Sequence, residues 1–356
     1  MDRELAISLF WGDRQLYPHD TFRTMRNVVE TVPEAENREA PTWPYVLPTI
    51  ASQERRLRQR SCIAGLVRVN FCVPHRQLQN QLYDLAVCRR SRRMPVNVGR
   101  PPLVGVLGSG GAFGIGVHFG AARAFAEVGI QLAQAPLVGS SAGAYAAGAF
   151  VSALDLDAVL QPWGTTPARR FGHRSIDTVR QIFGDARPAT MSGVAARLFG
   201  RRVLLPASRY GLVDVVAASS SPPPFAVPHV IEGRHYIDAG LLSICSVDLA
   251  PPADLMVVIA PIGGAHMGRM GKLSEFQTRR HIRGWQRARR GRALYITPDR
   301  ELAATAGSGV DDLFDPKRAP RAEAAAYELT RRRIEQFENE CPGALASAAA
   351  RGSEDG

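Results

Sequence analysis

A serine flanked by glycines is the first feature of this 356-residue chain that could do chemistry. The segment Gly139-Ser140-Ser141-Ala142-Gly143 follows the apolar pair Leu137-Val138 and precedes a run of small residues typical of a helix. The spacing is that of a nucleophile elbow, a sharp strand-to-helix turn in which Gly139 and Gly143 allow neighbouring backbone to approach closely. A hydroxyl on Ser141 at a helix N-terminus can attack a carbonyl, because the helix end favours the negative charge that develops.

A glycine-rich loop lies about 30 residues before this serine. It runs from Gly108 to Gly114 between a predicted strand and a predicted helix, so its backbone N–H groups can converge on an anion. That anion is either a phosphate or the oxyanion of an acyl-transfer intermediate. A P-loop would need a lysine after the glycines, and a dinucleotide fingerprint would need glycine where Phe113 stands. A short-chain dehydrogenase would need Tyr-x-x-x-Lys, which neither lysine of the chain satisfies.

An aspartate completes the set of candidate residues. Asp238 ends a predicted hairpin over residues 228–238, with Gly233 in its turn, and is followed by Ala239-Gly240. Aspartate in this position commonly forms a turn. Beside a glycine loop and a serine elbow, however, it becomes a candidate for catalysis.

The three motifs together resemble those of the patatin-like acyl hydrolases, over about Pro101 to Ala260. That family combines a glycine-rich oxyanion loop, G-x-S-x-G and Asp-Gly-Gly or Asp-Gly-Ala, and the segment Ala218-Ser219 with Pro222 and Phe225 is also similar. The resemblance implies a serine lipid acyl hydrolase of the bacterial type that cleaves fatty-acyl esters of lipids or phospholipids without a cofactor or a metal. It implies Ser141 as the nucleophile, Asp238 as its partner in a dyad, and an oxyanion hole made by the amides of Gly110, Gly111 and Ala112. Two departures are Phe113, where the family usually has Arg or Lys, and Ala239, where it has glycine.

Two other functions fit parts of the pattern. An α/β-hydrolase esterase would use a triad in the order Ser, Asp, His, filled by Ser141, Asp238 and either His266 or His281. His281 lies among arginines, where a histidine is more often a solvated surface residue. A catalytically degenerate lipid-binding protein would keep the fold and lose turnover.

Composition bounds the partners. The formal charge of +11 comes almost wholly from arginine, since Lys272 and Lys317 are the only lysines. Such a surface favours anionic partners, although GC-rich coding DNA also produces it. We expect no nucleic-acid partner, because the chain has no nucleic-acid-binding motif. Five scattered cysteines, no basic and apolar leader at the N-terminus and no long apolar run indicate a cytoplasmic protein, with peripheral membrane contact left open.

The pattern along the chain predicts an α/β fold, a mainly parallel sheet flanked by helices in a three-layer sandwich. Residues 1–98 have little periodicity, and we interpret them as a poorly ordered extension, or as untranslated sequence if synthesis begins at Met94. Residues 99–341 form the predicted catalytic domain and residues 342–356 a flexible tail. Within the domain we expect strands at 103–107 and 255–260, a strand and elbow at 137–143, helices at 117–128 and 319–340, and a helical, loop-rich stretch over 155–210.

Overall fold

The computed structural model describes residues 100–163, 175–198, 200–223 and 226–352. The predicted N-terminal extension, the start at Met94 and the residue Phe225 lie outside the described residues.

One β-sheet forms the centre of the described region. Its eight strands are β1 Leu103–Leu107, β2 Leu137–Gly139, β3 Met191–Arg197, β4 Arg202–Pro206, β5 His229–Ile231, β6 Arg234–Asp238, β7 Leu255–Ile259 and β8 Arg292–Ile296. The order across the sheet is β5-β6-β3-β2-β1-β7-β8, and β4 pairs with β3. Strands β3, β2, β1, β7 and β8 are parallel, while β4 and β6 run antiparallel to β3. The sheet is therefore mostly parallel, as expected.

Helices supply the connections that parallel strands require. In the described residues they are α1 Gly111–Glu127, α2 Ala142–Val151, α3 Leu156–Leu160, α4 Ser175–Phe183, α5 Ala207–Tyr210, α6 Leu212–Ser219, α7 Gly268–Arg289, α8 Arg300–Thr305, α9 Ala319–Glu340 and α10 Ala344–Gly352. None of these described helices is both long enough and apolar enough to cross a membrane.

The central strands are buried on both faces. Alternate side chains of β1 and β7 enter two separate cores, since successive residues of a strand point to opposite sides. One core contains Leu107 and residues of α1, α2, α6 and α9, and the other contains Val106 with Ile282 and Trp285 of α7. Burial on both sides explains why β1 and β7 are continuous apolar runs. The fold is therefore α/β with a mostly parallel sheet between helical layers, which confirms the predicted class.

The predicted strands β1, β2 and β7, the β5–β6 hairpin and helix α9 are present. Helix α1 begins at Gly111, six residues earlier than expected, because it starts directly from the glycine loop. The stretch 155–210 was wrongly expected to contain only helices and loops, since it includes β3 and β4. Residues after Pro342 were expected to be frayed, yet α10 buries Leu345 and Ala348 against the first core.

Candidate active site

Ser141 lies at a strained turn between β2 and α2. Its backbone has φ 54° and ψ −117°, a left-handed conformation that non-glycine residues rarely adopt. The two flanking glycines are required by space, because a Cβ on Gly139 would lie 2.4 Å from the carbonyl oxygen of Gly143 and one on Gly143 would lie 2.1 Å from that of Leu107. The predicted elbow geometry is therefore present, with Ser141 as the residue that precedes the first turn of α2.

Ser219, the last residue of α6, holds this turn in place. Its hydroxyl accepts a hydrogen bond from the backbone N–H of Ser141 at 3.0 Å and donates one to the carbonyl of Val194 at 2.7 Å. Because the Ser219 side chain is fully buried, these hydrogen bonds give the Ser141 amide and the Val194 carbonyl partners where water has no access. Sequence motifs alone did not assign this role, although the Ala218-Ser219 pair was the local signal for it.

The pairing of β3 explains how Asp238 reaches Ser141. Residues 192 and 193 of β3 pair with both β2 and β4, and residues 195 and 196 pair with both β4 and β6. Strands β2 and β6 therefore share one edge of β3 and run towards each other along it. Strand β2 ends with Gly139 opposite Gly193, and β6 ends with Asp238 opposite Ala195. The elbow and the aspartate meet in the gap between these two ends.

The Asp238 carboxylate accepts a hydrogen bond from the backbone N–H of Gly240 at 2.7 Å, and the Ser141 hydroxyl lies near enough to favour its ionised form. Both residues are buried, Ser141 being 8% exposed and Asp238 5%. Burial raises the pKa of Asp238 to about 6, although the hydrogen bonds from Ser141 and Gly240 act in the opposite direction. The carboxylate is thus ionised at neutral pH and still basic enough to take a proton.

The glycine loop ends in the N-terminus of α1. Gly110 precedes the helix and Gly111 is its first residue, with a φ of 61° that favours glycine. A Cβ on Gly111 would lie 2.4 Å from the carbonyl oxygen of Leu313, so no larger residue fits. The amides of Gly110, Gly111 and Ala112 donate to no group among the described residues, as expected for the first N–H groups of a helix. They are available to an anion.

Hydrogen bonds fix the base of this loop from three sides. The N–H of Gly108 donates to Ile259 at 2.8 Å and that of Ser109 donates to Ile244 at 2.9 Å. The carbonyl of Gly108 accepts from Nε2 of His118, also at 2.8 Å. Burial lowers the pKa of His118 to about 4, so the ring is neutral and Nε2 carries its proton. This buried histidine of α1 therefore supports the loop.

The loop also touches the turn that follows Asp238. A Cβ on Gly240 would lie 2.4 Å from Oγ of Ser109 and 2.9 Å from Oδ1 of Asp238, so a larger residue would displace one of these two side chains. The Ser109 hydroxyl is buried and has no hydrogen-bond partner in the described part of the chain. Elbow, glycine loop and Asp238 turn thus form one continuous site at the end of β1, β2 and β6.

The two histidines considered for a triad lie elsewhere. Nδ1 of His281 is 3.2 Å from Oδ1 of Asp248, whose carboxylate also accepts two hydrogen bonds from the Arg202 guanidinium. The expectation that His281 is a solvated surface residue is wrong, since its side chain is only 11% exposed. His266 is exposed at the turn before α7. The carboxylate of Asp238 accepts a hydrogen bond from Gly240, and no histidine within the described ranges donates one to it.

Among the described residues, no group of histidine, cysteine, aspartate and glutamate side chains is arranged to hold a metal ion. Comparison with known proteins finds no matching family model and no matching curated protein. Among solved structures, the crystal structure of VipD from Legionella pneumophila is similar with a TM-score of 0.37 and 12% identity, over 67% of each chain. The function is therefore argued from the geometry of the site.

Proposed function

We propose that the chain is a serine acyl hydrolase that cleaves carboxylic esters through a Ser141–Asp238 dyad. One observation carries the proposal: the Ser141 hydroxyl lies beside the buried Asp238 carboxylate, while the amides at the start of α1 are free of partners within the described residues. A strained nucleophile, a base and a set of oxyanion donors are the parts that acyl transfer needs.

In the first step Asp238 removes the proton of Ser141 as Oγ attacks the ester carbonyl. The carbonyl oxygen becomes an oxyanion that accepts hydrogen bonds from the amides of Gly110, Gly111 and Ala112. The C–O bond to the alcohol then breaks, Asp238 returns the proton to the leaving oxygen, and an acyl-serine remains. Each oxyanion donor contributes about 2.7–4 kcal/mol to such a transition state.

In the second step water attacks the acyl-serine. Asp238 accepts a proton from the water, the same amides stabilise the second oxyanion, and the Oγ–acyl bond breaks as Ser141 regains its proton. The products are a carboxylic acid and the original serine. A pKa of about 6 suits this double role, because the carboxylate is largely ionised at pH 7 and yet a stronger base than an ordinary aspartate.

The resemblance of the three motifs to the patatin-like acyl hydrolases narrows the substrate to fatty-acyl esters of lipids. The assignment rests on Gly108–Gly114, the elbow at Ser141 and the turn at Asp238. Acyl transfer by this dyad needs no cofactor.

The test is hydrolysis of medium-chain p-nitrophenyl esters, followed by lipid esters, with the full chain. Ser141→Ala and Asp238→Asn should each lower kcat by at least about a thousandfold, since each removes a group that acts on the reacting atoms. Matched controls are Ser152→Ala, at the other end of α2, and the exposed Asp157→Asn, which should retain wild-type rates. A folded wild-type chain without turnover on any ester would overturn the proposal and favour the lipid-binding alternative.

The same assay separates the dyad from a triad. His266→Ala and His281→Ala should keep kcat within about threefold of wild type, whereas a triad histidine would lower it by orders of magnitude. Because His281 contacts Asp248, circular dichroism of that variant must first show that the fold is intact.

A further inference from the structure

Helix α7 buries Ile282 and Trp285 of its C-terminal half in a core, but it exposes the large apolar residues of its N-terminal half. Its buried positions include the small or polar Gly271, Ser274 and Thr278. Its exposed positions include Met270, Leu273 and Phe276, which are 70%, 52% and 62% exposed. These three are spaced three residues apart, so they lie along one face of the helix.

Two more exposed leucines continue this surface. Leu241 and Leu242, each 37% exposed, lie in the turn that follows Asp238. The side-chain amide of Gln277 on α7 donates to the carbonyl of Leu242 at 3.5 Å, which brings the turn and the helix together. We call Leu241, Leu242, Met270, Leu273 and Phe276 the apolar rim. Contiguous exposed apolar residues of this kind mark interaction surfaces more often than scattered ones do.

The charge around the apolar rim indicates its partner. Helix α7 carries seven basic residues and one acidic residue, Glu275, which pairs with Arg279 at 2.8 Å. Arg269 and Lys272 alternate with Met270 and Leu273 in its first turn. A helix face with apolar residues among lysines and arginines suits a membrane interface, where the apolar side chains enter the acyl region and the cations meet anionic head groups. A polyanion without an apolar phase would leave the rim in water.

The apolar rim also borders the candidate active site. The turn that carries Leu241 begins directly after Asp238, and Gly240 packs against Ser109 of the glycine loop. A bilayer that covers the rim would therefore lie beside the Ser141 site.

We infer that the apolar rim docks the protein on anionic phospholipid bilayers, with Met270, Leu273 and Phe276 inserted and Arg269 and Lys272 at the head groups. The docking itself needs only these side chains. Its consequence, delivery of acyl esters from the bilayer to Ser141, rests on the proposed function.

The experiment measures binding of the full chain to vesicles of phosphatidylglycerol with phosphatidylcholine, and to vesicles of phosphatidylcholine alone, by flotation. The wild type should bind the anionic vesicles more tightly, and salt should weaken this binding. Leu273→Ser with Phe276→Ser should lower the affinity at least about tenfold, because two side chains no longer leave water. The double change Arg269→Gln with Lys272→Gln should reduce the preference for anionic vesicles and its dependence on salt.

Val128→Ser is the matched control, since Val128 is a similarly exposed apolar residue at the far end of α1. It should bind as the wild type does. Unchanged binding of the Leu273→Ser, Phe276→Ser variant, or no binding of the wild type to anionic vesicles, would overturn the inference. So would a change of oligomeric state in that variant, measured by light scattering, because a second copy would then be the occupant.

A soluble short-chain p-nitrophenyl ester distinguishes the two proposals. Rim variants should hydrolyse it at the wild-type rate while losing turnover on vesicles. Vesicle binding without any ester hydrolysis would support the docking surface and contradict the proposed function. Ester hydrolysis without vesicle binding would support the proposed function and contradict the docking surface.

Discussion

Asp238 has a pKa of about 6 because burial opposes its ionisation more strongly than the hydrogen bonds from Ser141 and Gly240 favour it. This burial therefore destabilises the folded chain at neutral pH. In the unfolded chain its pKa returns to about 3.8, so the folded state binds more protons between these two values. By linkage, this residue's contribution to stability falls as the pH rises from about 4 to about 6.

The pH dependence of turnover should follow this residue. With p-nitrophenyl esters, kcat/KM should rise with pH and reach half its plateau near pH 6, because only the ionised carboxylate can take the proton of Ser141. A midpoint near pH 4, or one that stays unchanged in Asp238→Glu, would contradict the assignment of the base.

In urea denaturation, the free energy of unfolding of Asp238→Asn should rise relative to that of the wild type by up to about 3 kcal/mol between pH 4 and pH 8.

Between helices, close backbone contact decides where α1 lies. A Cβ on Gly116 would be 2.2 Å from the carbonyl oxygen of Ala319, and one on Gly120 would be 2.1 Å from that of Glu323, both in α9. These two glycines let α9 pack onto α1, whose first turn carries the candidate oxyanion donors. The packing of α9 therefore bears on the position of the glycine loop.

Gly120→Ala should lower the free energy of unfolding by about 1–3 kcal/mol, because the two helices must move apart. Gly284→Ala in α7 is the matched control, since no atom lies within 4 Å of the new Cβ, and alanine there should stabilise the chain by up to about 1 kcal/mol. Thermal and urea unfolding measure both. Equal effects of the two substitutions would show that the α1–α9 contact is not tight.

The elements that the sequence predicts best are those whose local pattern matches their environment. Strands β1 and β7 are continuous apolar runs because both faces are buried, and Glu232 and Gly233, both at positive φ, form the hairpin turn expected at Gly233. Strand β3 was missed because its serine, glycine and alanines have little strand preference. Helix α7 was missed because the buried positions of its N-terminal half are small or polar, while the large apolar residues of that half face outward.

Motifs likewise single out Ser141, Asp238 and the glycine loop, while their catalytic roles stay predictions. The support from Ser219 and His118 follows from tertiary contacts between segments far apart in the chain. No local spacing carries that information.

Across the whole molecule, buried ionisable groups make opposing contributions to stability. Burial lowers the pKa of His118 to about 4 from an ordinary value of 6.5, so the folded state binds fewer protons in this range and stability rises with pH. Asp238 has the opposite slope over nearly the same window. The carboxylate of Asp248 has a pKa well below its usual range, since His281 and Arg202 favour its charged form. The contribution of Asp248 to the stability of the folded state is present above about pH 4 and is lost in stronger acid.

His118→Gln retains a donor for the Gly108 carbonyl but cannot titrate, so it should remove the rise of stability with pH that His118 causes. The free energy of unfolding of this variant minus that of the wild type should be roughly 3 kcal/mol larger at pH 4 than at pH 7. Urea denaturation at several pH values measures this difference. A constant difference between variant and wild type would show that His118 does not resist protonation in the folded state.

The end-to-end arrangement of β2 and β6 makes the proposed Ser141–Asp238 dyad depend on correct strand register. The two strands do not pair with each other: both pair with β3, while β2 also pairs with β1 and β6 with β5. Side chains alternate along a strand, so a slip of β6 by one residue would put Ile237 opposite Ala195 and turn the aspartate to the other face of the sheet. A misfolded chain would then retain its serine, its glycines and much of its secondary structure and still be inert. Under the proposed function, a chain with this register error would therefore leave the lipids of the cell that makes it intact.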